Sequence, residues 1–343
     1  MELFQHWHFQ NSFHALQGPF YHRVEPQAVE EAKLLHVNPH TLELLKLPVD
    51  SYTHPDFISV FSGNRMLLGM LPLAHDYAGH QFGRFNPLLG DGRTTILGEI
   101  VIDGTSCWEL SLKGTGRTPF APHAQHADGL AGVSECEHEF HISRRLESLN
   151  IPTVHSVAVI QGKQRVYRNH AFEHTAILSR ITPTHIRFGT FELYYFQRNY
   201  EALQQLCDYV ISRHYPECND PEAPAEERHA CFFRRVVART ASLIAHWQAA
   251  GFTHGTMNTD NQSIIGITLD LGSAKFTTEF DSEFVANPID KKGHYAFGNQ
   301  PSIGLWNCNV LARTLSPLIG GKALRAALQT YEPIFLKEYE RLK

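Results

Sequence analysis

The sequence predicts an α+β chain with a small mixed, β-rich N-terminal part and a helical C-terminal part. Three observations lead there. Apolar runs at residues 96–102 and 107–112 flank Asp103-Gly104, a hairpin signal. Runs at 152–160, 164–168 and 176–181 read as further strands. From about residue 190 the apolar spacing turns helical, most clearly at 201–212 and 228–250.

Residues 1–75 read as an N-terminal extension packing on the core, aromatic and proline-punctuated, with a helical patch near 27–46. Residues 76–190 form the β-rich part. There Asn86, Pro87, Gly90, Asp91 and Gly92 are turn formers, suited to a chain that passes close to a ligand. Trp108, Leu110 and Leu112 alternate with Glu109 and Ser111, so Lys113 ends that strand facing away from Leu112. Ser134 and Glu137 resemble a capping box opening a helix that runs to about Leu149. Residues 191–343 form the helical part. Its long helix carries Phe232, Val236, Val237, Ala241 and Leu243 at apolar positions, after a polar loop at 216–227. Residues 264–269 read as a strand leading to Asp270, and helices near 305–315 and 322–340 follow.

A chain of 343 residues with 43% hydrophobic content supports a packed core. The net charge is −5 and no run of five basic residues occurs, so no nucleic-acid partner is expected. No apolar run approaches the roughly 20 residues of a membrane span, and no membrane partner is expected. The first ten residues lack the basic start and apolar centre of a signal peptide. Cys107, Cys136, Cys207, Cys218, Cys231 and Cys308 form no C-x-x-C pair. A cytoplasmic chain with free thiols is expected. The 22 histidines include the pairs His123/His126 and His138/His141, which lack an evident third ligand.

The chemistry concentrates at residues 254–261, HGTMNTDN, followed by Asp270-Leu271-Gly272. A protein-kinase catalytic loop has Asp two residues after its His and Asn seven after, then a metal-binding Asp-x-Gly. Counting from His254, Asn261 stands at the Asn position, but Thr256 stands where the carboxylate base belongs. A different carboxylate, Asp260, adjoins Asn261. Lys113 lies where kinases hold a phosphate-binding lysine, and a helix glutamate would aim it. Position alone does not choose among Glu135, Glu137 and Glu139. Strands, Lys, Glu helix, more strands, helices, loop and metal Asp follow the order of a protein-kinase-like, two-lobed fold.

Six blocks make the resemblance specific. They are YAGHQFG (77–83), LGDGR (89–93), LKGTG (112–116), IRFGTFE (186–192), GFTHGTMNTDN (251–261) and YAFGNQPSIGLWN (295–307). The chain resembles the selenoprotein O family of pseudokinases that transfer AMP to proteins. The resemblance implies an ATP bound so that its α-phosphorus faces a protein Ser, Thr or Tyr hydroxyl. It implies Lys113 on phosphate, with Glu139 pairing to it, and Gly90, Gly92 and Arg93 along the nucleotide. It further implies Arg180 and Arg187 as phosphate clamps and Asp128-Gly129 as a nucleotide contact. Asn261 and Asp270 would hold Mg2+ or Mn2+, Asp270 also touching the nucleotide, and Asp260 would be the catalytic base.

The sequence also departs from that pattern. Leu130 and Ser134 stand where the family usually has arginines, and Leu271 where it usually has an aromatic residue. Family members usually continue well past the YAFGNQP block, whereas residues 308–343 follow it here. The lost arginines keep open a nucleotide-binding scaffold without turnover. A kinase using the γ-phosphate is a third reading, opposed by Thr256.

Overall fold

A computed structural model of the chain describes residues 3–16, 18–104, 106–121, 128–168, 170–277 and 279–343. His123 and His126 lie outside the described residues. In chain order the first elements are β1 (His8–Phe9), β2 (Tyr21–Arg23), β3 (Lys33–Val37), α1 (Pro39–Leu44), α2 (Pro55–Phe61) and β4 (Leu73–His75). Then come β5 (Gly79–Gln81), β6 (Arg84–Asn86), β7 (Thr94–Ile102), β8 (Ser106–Lys113), β9 (Ala131–Gly132), α3 (Val133–Ser148), β10 (His155–Arg168) and β11 (Ala171–Thr182). The remainder holds α4 (Phe188–Phe196), α5 (Tyr200–His214), α6 (Ala225–Ala249), β12 (Phe252–Thr253), β13 (Lys275–Phe276), α7 (Gln300–Thr314), α8 (Gly321–Leu328) and α9 (Tyr331–Leu342). The chain divides into two compact units. A β-rich unit takes residues 1–76, 88–147 and 153–185, and a helical unit takes 77–87, 148–152 and 186–343.

In the β-rich unit the strand order is β2-β4-β7-β8-β11-β10-β3, with β1 on β7 and β9 on β11. Asp103 and Gly104 turn the β7–β8 hairpin with φ of +56° and +70°, the left-handed region such a turn requires. Leu97, Ile100, Leu110, Leu112, Ile160 and Ile177 pack with Phe57, Phe61 and Trp7 into one core. The first 75 residues contribute β1 to β4 to this sheet. The expected helix near 27–46 is a strand and then a short helix. Asn38 caps α1 by accepting from the His40 N–H, and Pro39 fits its first turn. The polar side of β8 is buried as well. His185 bridges the Glu109 carboxylate at 2.7 Å and the Ser111 hydroxyl at 2.9 Å. Helix α3 lays Cys136 and Phe140 on Ala131, Val159 and Leu178. Ser134 does not form the expected capping box. Its N–H and hydroxyl reach the Glu173 carboxylate at 2.8 and 2.9 Å.

In the helical unit α6 is the longest helix, and Phe232, Val236, Val237, Ala241, Leu243 and Trp247 on it are buried. Residues 264–269 form no strand; a single bridge, Gln262 to Thr268, closes that loop. The expected last helix divides in two. Pro333 has no N–H to offer the Gln329 carbonyl, so a new helix starts before it. The free-thiol expectation fails at one pair. Cys218 and Cys231 form a disulfide, with Cα atoms 5.6 Å apart, because the loop before α6 folds back on its first turns. Among the described residues no helix is long and apolar enough to cross a membrane.

Phe232 is fully buried, stacked on Phe191 and edge-on to Tyr215. Phe232→Ala should cost about 3–5 kcal/mol of stability, read by denaturant unfolding. A loss under about 1 kcal/mol would contradict a packed helical core.

Candidate active site

The β-rich unit gathers a buried group of charges at the end of β8. Lys113 lies opposite Thr94 of β7 and Leu178 of β11, and only 4% of its surface is exposed. Its ammonium contacts the Glu139 carboxylate and lies 2.8 Å from Glu135. Glu139 is buried, and its other oxygen faces Arg180 at 3.4 Å. Arg93 grips Glu135 with two donors, at 2.9 and 2.6 Å. Glu137 instead meets His36 at 2.8 Å. Helical spacing explains the choice that position along the chain left open. Residues four apart share a face, so Glu135 and Glu139 meet Lys113 together while Glu137 points elsewhere. Burial works to raise the Glu135 carboxyl, but Lys113 and then Arg93 outweigh it and hold it well below the usual carboxylate range.

Glycines nearby in the sequence are closely packed, and Gly90 and Gly129 leave no room for a side chain. A Cβ on Gly90 would lie 2.4 Å from the Phe120 ring, and Gly90 has φ +131°. Gly92 would bring one to 3.3 Å from the Ala121 backbone. Between them Asp91 is buried and accepts the His75 N–H at 3.0 Å. Gly129, at φ +75°, approaches Gly116 so closely that a Cβ would lie 2.1 Å from its carbonyl carbon. Asp128 accepts from Arg168 at 2.6 Å and from the Leu130 N–H at 3.0 Å.

The helical unit carries Asp260, Asn261, Asp270 and Arg187. His254 is fully buried, receives its backbone restraint from Gln300, and its ring meets the Leu269 carbonyl at 2.7 Å. It ties the 254–261 loop to the segment bearing Asp270. Asn261 donates its amide N–H to the Thr256 carbonyl at 3.0 Å, which commits its nitrogen and leaves its oxygen as the candidate metal ligand. Asp270 sits at φ +57°, a conformation Asp tolerates better than most residues. Arg187 donates to the Asp260 carbonyl at 2.8 Å and to the Asp270 carboxylate at 3.3 Å, with its guanidinium 4.5 Å over the Tyr77 ring.

Asp260 is enclosed by the YAGHQFG segment. One carboxylate oxygen accepts from Gln81 at 3.2 Å. The other, Oδ1, is buried with no hydrogen-bond partner among the described residues. A Cβ on Gly79 would meet that Oδ1 at 2.7 Å. His80 donates its backbone N–H to Thr259 at 2.7 Å, and its ring holds the buried Glu192 at 2.5 Å. Burial pushes the Asp260 carboxyl up to about 7, while Gln81 and Arg187 pull it down. Gln81, Tyr77 and Glu135 thus contact the candidate residues Asp260, Arg187 and Lys113, and the sequence alone did not assign them. Gln81 and Tyr77 lie inside a quoted block, and Glu135 sits one helical turn before Glu139. Among the described residues no three His, Cys, Asp or Glu side chains cluster as a metal centre.

Element order, a strand lysine paired with a helix carboxylate, and a catalytic loop with Thr256 in the base position define a kinase-like protein. The family model described as protein adenylyltransferase SelO matches residues 3–343, and the chain belongs to that family. Three relatives are each named protein nucleotidyltransferase YdiU. The Myxococcus xanthus protein is 42% identical over 98% of this chain and 67% of its own length. The Thiobacillus denitrificans protein is 41% identical over 96% and 66%. The Pseudomonas aeruginosa protein is 40% identical over 96% and 66%. The chain spans about two thirds of the length of these curated relatives. A Toxoplasma gondii rhoptry antigen kinase domain aligns with 78% of this chain and 84% of its own, at 11% identity and a TM-score of 0.33. That likeness is too low to argue from.

Folding raises the Asp260 carboxyl from 3.8 to about 7, so the folded chain prefers it protonated. That preference is fully present below the unfolded value and is lost as pH rises through the folded one. In metal-free buffer Asp260→Asn should therefore be more stable than wild type at about pH 8, with the gap shrinking toward about pH 5. Thermal unfolding across that range checks it; a gap independent of pH would contradict the burial argument.

Proposed function

We propose that the chain is a metal-dependent protein adenylyltransferase that moves AMP from ATP to Ser, Thr or Tyr hydroxyls of proteins and releases pyrophosphate. The observation that carries this reading is Asp260. It is a buried carboxylate with one unpartnered oxygen and an elevated pKa, on a loop whose usual base position holds Thr256. A base with a pKa near the working pH suits proton removal from a hydroxyl.

In this reading Asp260 Oδ1 takes the proton of the acceptor hydroxyl. The hydroxyl oxygen forms a bond to the α-phosphorus. The bond from that phosphorus to the bridging oxygen breaks, and its electron pair leaves on pyrophosphate. Lys113, Arg93, Arg180 and Arg187 would hold phosphate oxygens, as planar guanidinium forks and an ammonium do well. Gly90, Gly92, Asp128 and Gly129 would line the nucleotide, where missing side chains allow close backbone approach. Asn261 and Asp270 supply oxygen donors that fit Mg2+ or Mn2+, which commonly share protein oxygens with substrate phosphates. When bound, the cation supplies charge neutralisation on the phosphates. Glu139 and Gln81 are positioning residues, acting through Lys113 and Asp260. The reading keeps the chain in the cytoplasm, where ATP and protein hydroxyls meet.

A scaffold that binds nucleotide without turnover is the second reading. Leu130 and Ser134 in place of family arginines favour it, as does the Glu135 carboxylate already seated on Arg93 and Lys113. Variants separate the two. Asp260→Ala should keep metal-dependent ATP binding and lose about 10²–10⁴-fold of AMP transfer. Asp270→Ala should lose metal-dependent ATP affinity, read by calorimetry. Normal transfer by Asp260→Ala would sink the assignment of the base, and unchanged Mg-ATP affinity in Asp270→Ala would sink that of the metal ligand.

A further inference from the structure

We propose that Glu135 is a built-in competitor for the phosphates of ATP. Its carboxylate sits on two of the cations that would hold them, and nucleotide must displace it to bind fully. The inference rests on the reading that this cluster takes ATP.

The geometry is that of a bound oxyanion. Arg93 presents a two-donor fork to the two oxygens of Glu135, at 2.9 and 2.6 Å. Guanidinium offers the same fork to phosphate. Lys113 adds a third contact at 2.8 Å to the oxygen that receives the shorter Arg93 bond. An oxyanion of ATP that engages both cations would take the contacts Glu135 now holds.

Two carboxylates serve this cluster, and they are not equivalent. The Glu139 side chain is 1% exposed and pairs with both Lys113 and Arg180. Removing it would strand buried charge, so it belongs to the framework. The Glu135 side chain is 26% exposed, and its partner Arg93 is 41% exposed. Both can rotate toward water without burying an unpaired charge. Lys113 keeps Glu139 when Glu135 leaves.

Nor does the start of α3 require Glu135. The Ser134 backbone N–H at that end is already taken by Glu173 at 2.8 Å. A carboxylate in the first helical turn gains from the helix dipole, typically only about 0.3–1 kcal/mol. The consequence is a candidate phosphate site whose positive charge is partly offset in advance. Arg93, Lys113 and Arg180 face Glu135 and Glu139, so three cations are offset by two anions. Glu135 then sets how strongly the chain holds a polyphosphate, and weakens its grip on ATP far more than on an uncharged nucleoside.

The test compares wild type with Glu135→Gln, which keeps size, and Glu135→Ser, which clears the space. Calorimetry with Mg-ATP and with adenosine reads affinity, and thermal unfolding confirms that each variant is folded. Both variants should bind ATP about tenfold more tightly, equivalent to about 1.4 kcal/mol, with adenosine affinity unchanged. Folded variants with equal or weaker ATP affinity would overturn the proposal and make Glu135 a structural bridge or an aid to Arg93. A parallel gain for adenosine would also overturn it, because the effect would not act through phosphate. If neither wild type nor variant binds ATP while all are folded, the nucleotide reading itself fails, which is a separate result from a failed competition.

Discussion

The β-rich unit depends on how it pairs the buried Lys113 ammonium inside a sheet. A lone buried ammonium would cost several kcal/mol and would lose its proton. Glu139, supplied from the buried face of α3, makes the position tolerable. Much of the local architecture serves that meeting. The β7–β8 hairpin carries Lys113 inward, β11 brings Arg180 to the other Glu139 oxygen, and α3 is fixed to the sheet by Cys136 and Phe140. Lys113, Glu139 and Arg180 are three charged groups tied into one buried cluster.

The helical unit solves the opposite problem. It keeps a carboxylate buried without a full set of partners. Asp260 receives one hydrogen bond from Gln81, and glycine at 79 and 189 lets neighbouring backbone close around it. A buried oxygen left unpaired is expensive, and such expense is found where chemistry needs it. The base position can then hold Thr256, whose backbone carbonyl accepts the Asn261 amide N–H.

Much of this was legible in the sequence. The Asp103-Gly104 turn, the alternation through Leu112 and the 3.6-residue pattern around Phe232 are local signals, and each gave its element. The 254–261 spacing exposed the altered catalytic loop, and the six blocks identified the family before any geometry was known. What could not be read depends on contacts distant in sequence. Lys33–Val37 is a strand because β10 pairs with it, not because of its own pattern. Ser134 looked like a cap, but Glu173 from β11 claims its donors. The Cys218–Cys231 bond depends on a loop path that spacing does not give. The roles of Gln81 and Glu135 needed the fold for the same reason, since each acts on a residue brought near by packing.

The proposed chemistry directs an acceptor hydroxyl to the α-phosphorus rather than the γ-phosphorus of ATP. The most direct measurement gives the purified chain, Mg2+ or Mn2+ and a protein extract either α-labelled or γ-labelled ATP, and reads label fixed on protein. The account predicts protein labelling from the α position, with none from the γ position. Label arriving from the γ position would contradict it and make the chain a kinase whose base has moved to Asp260.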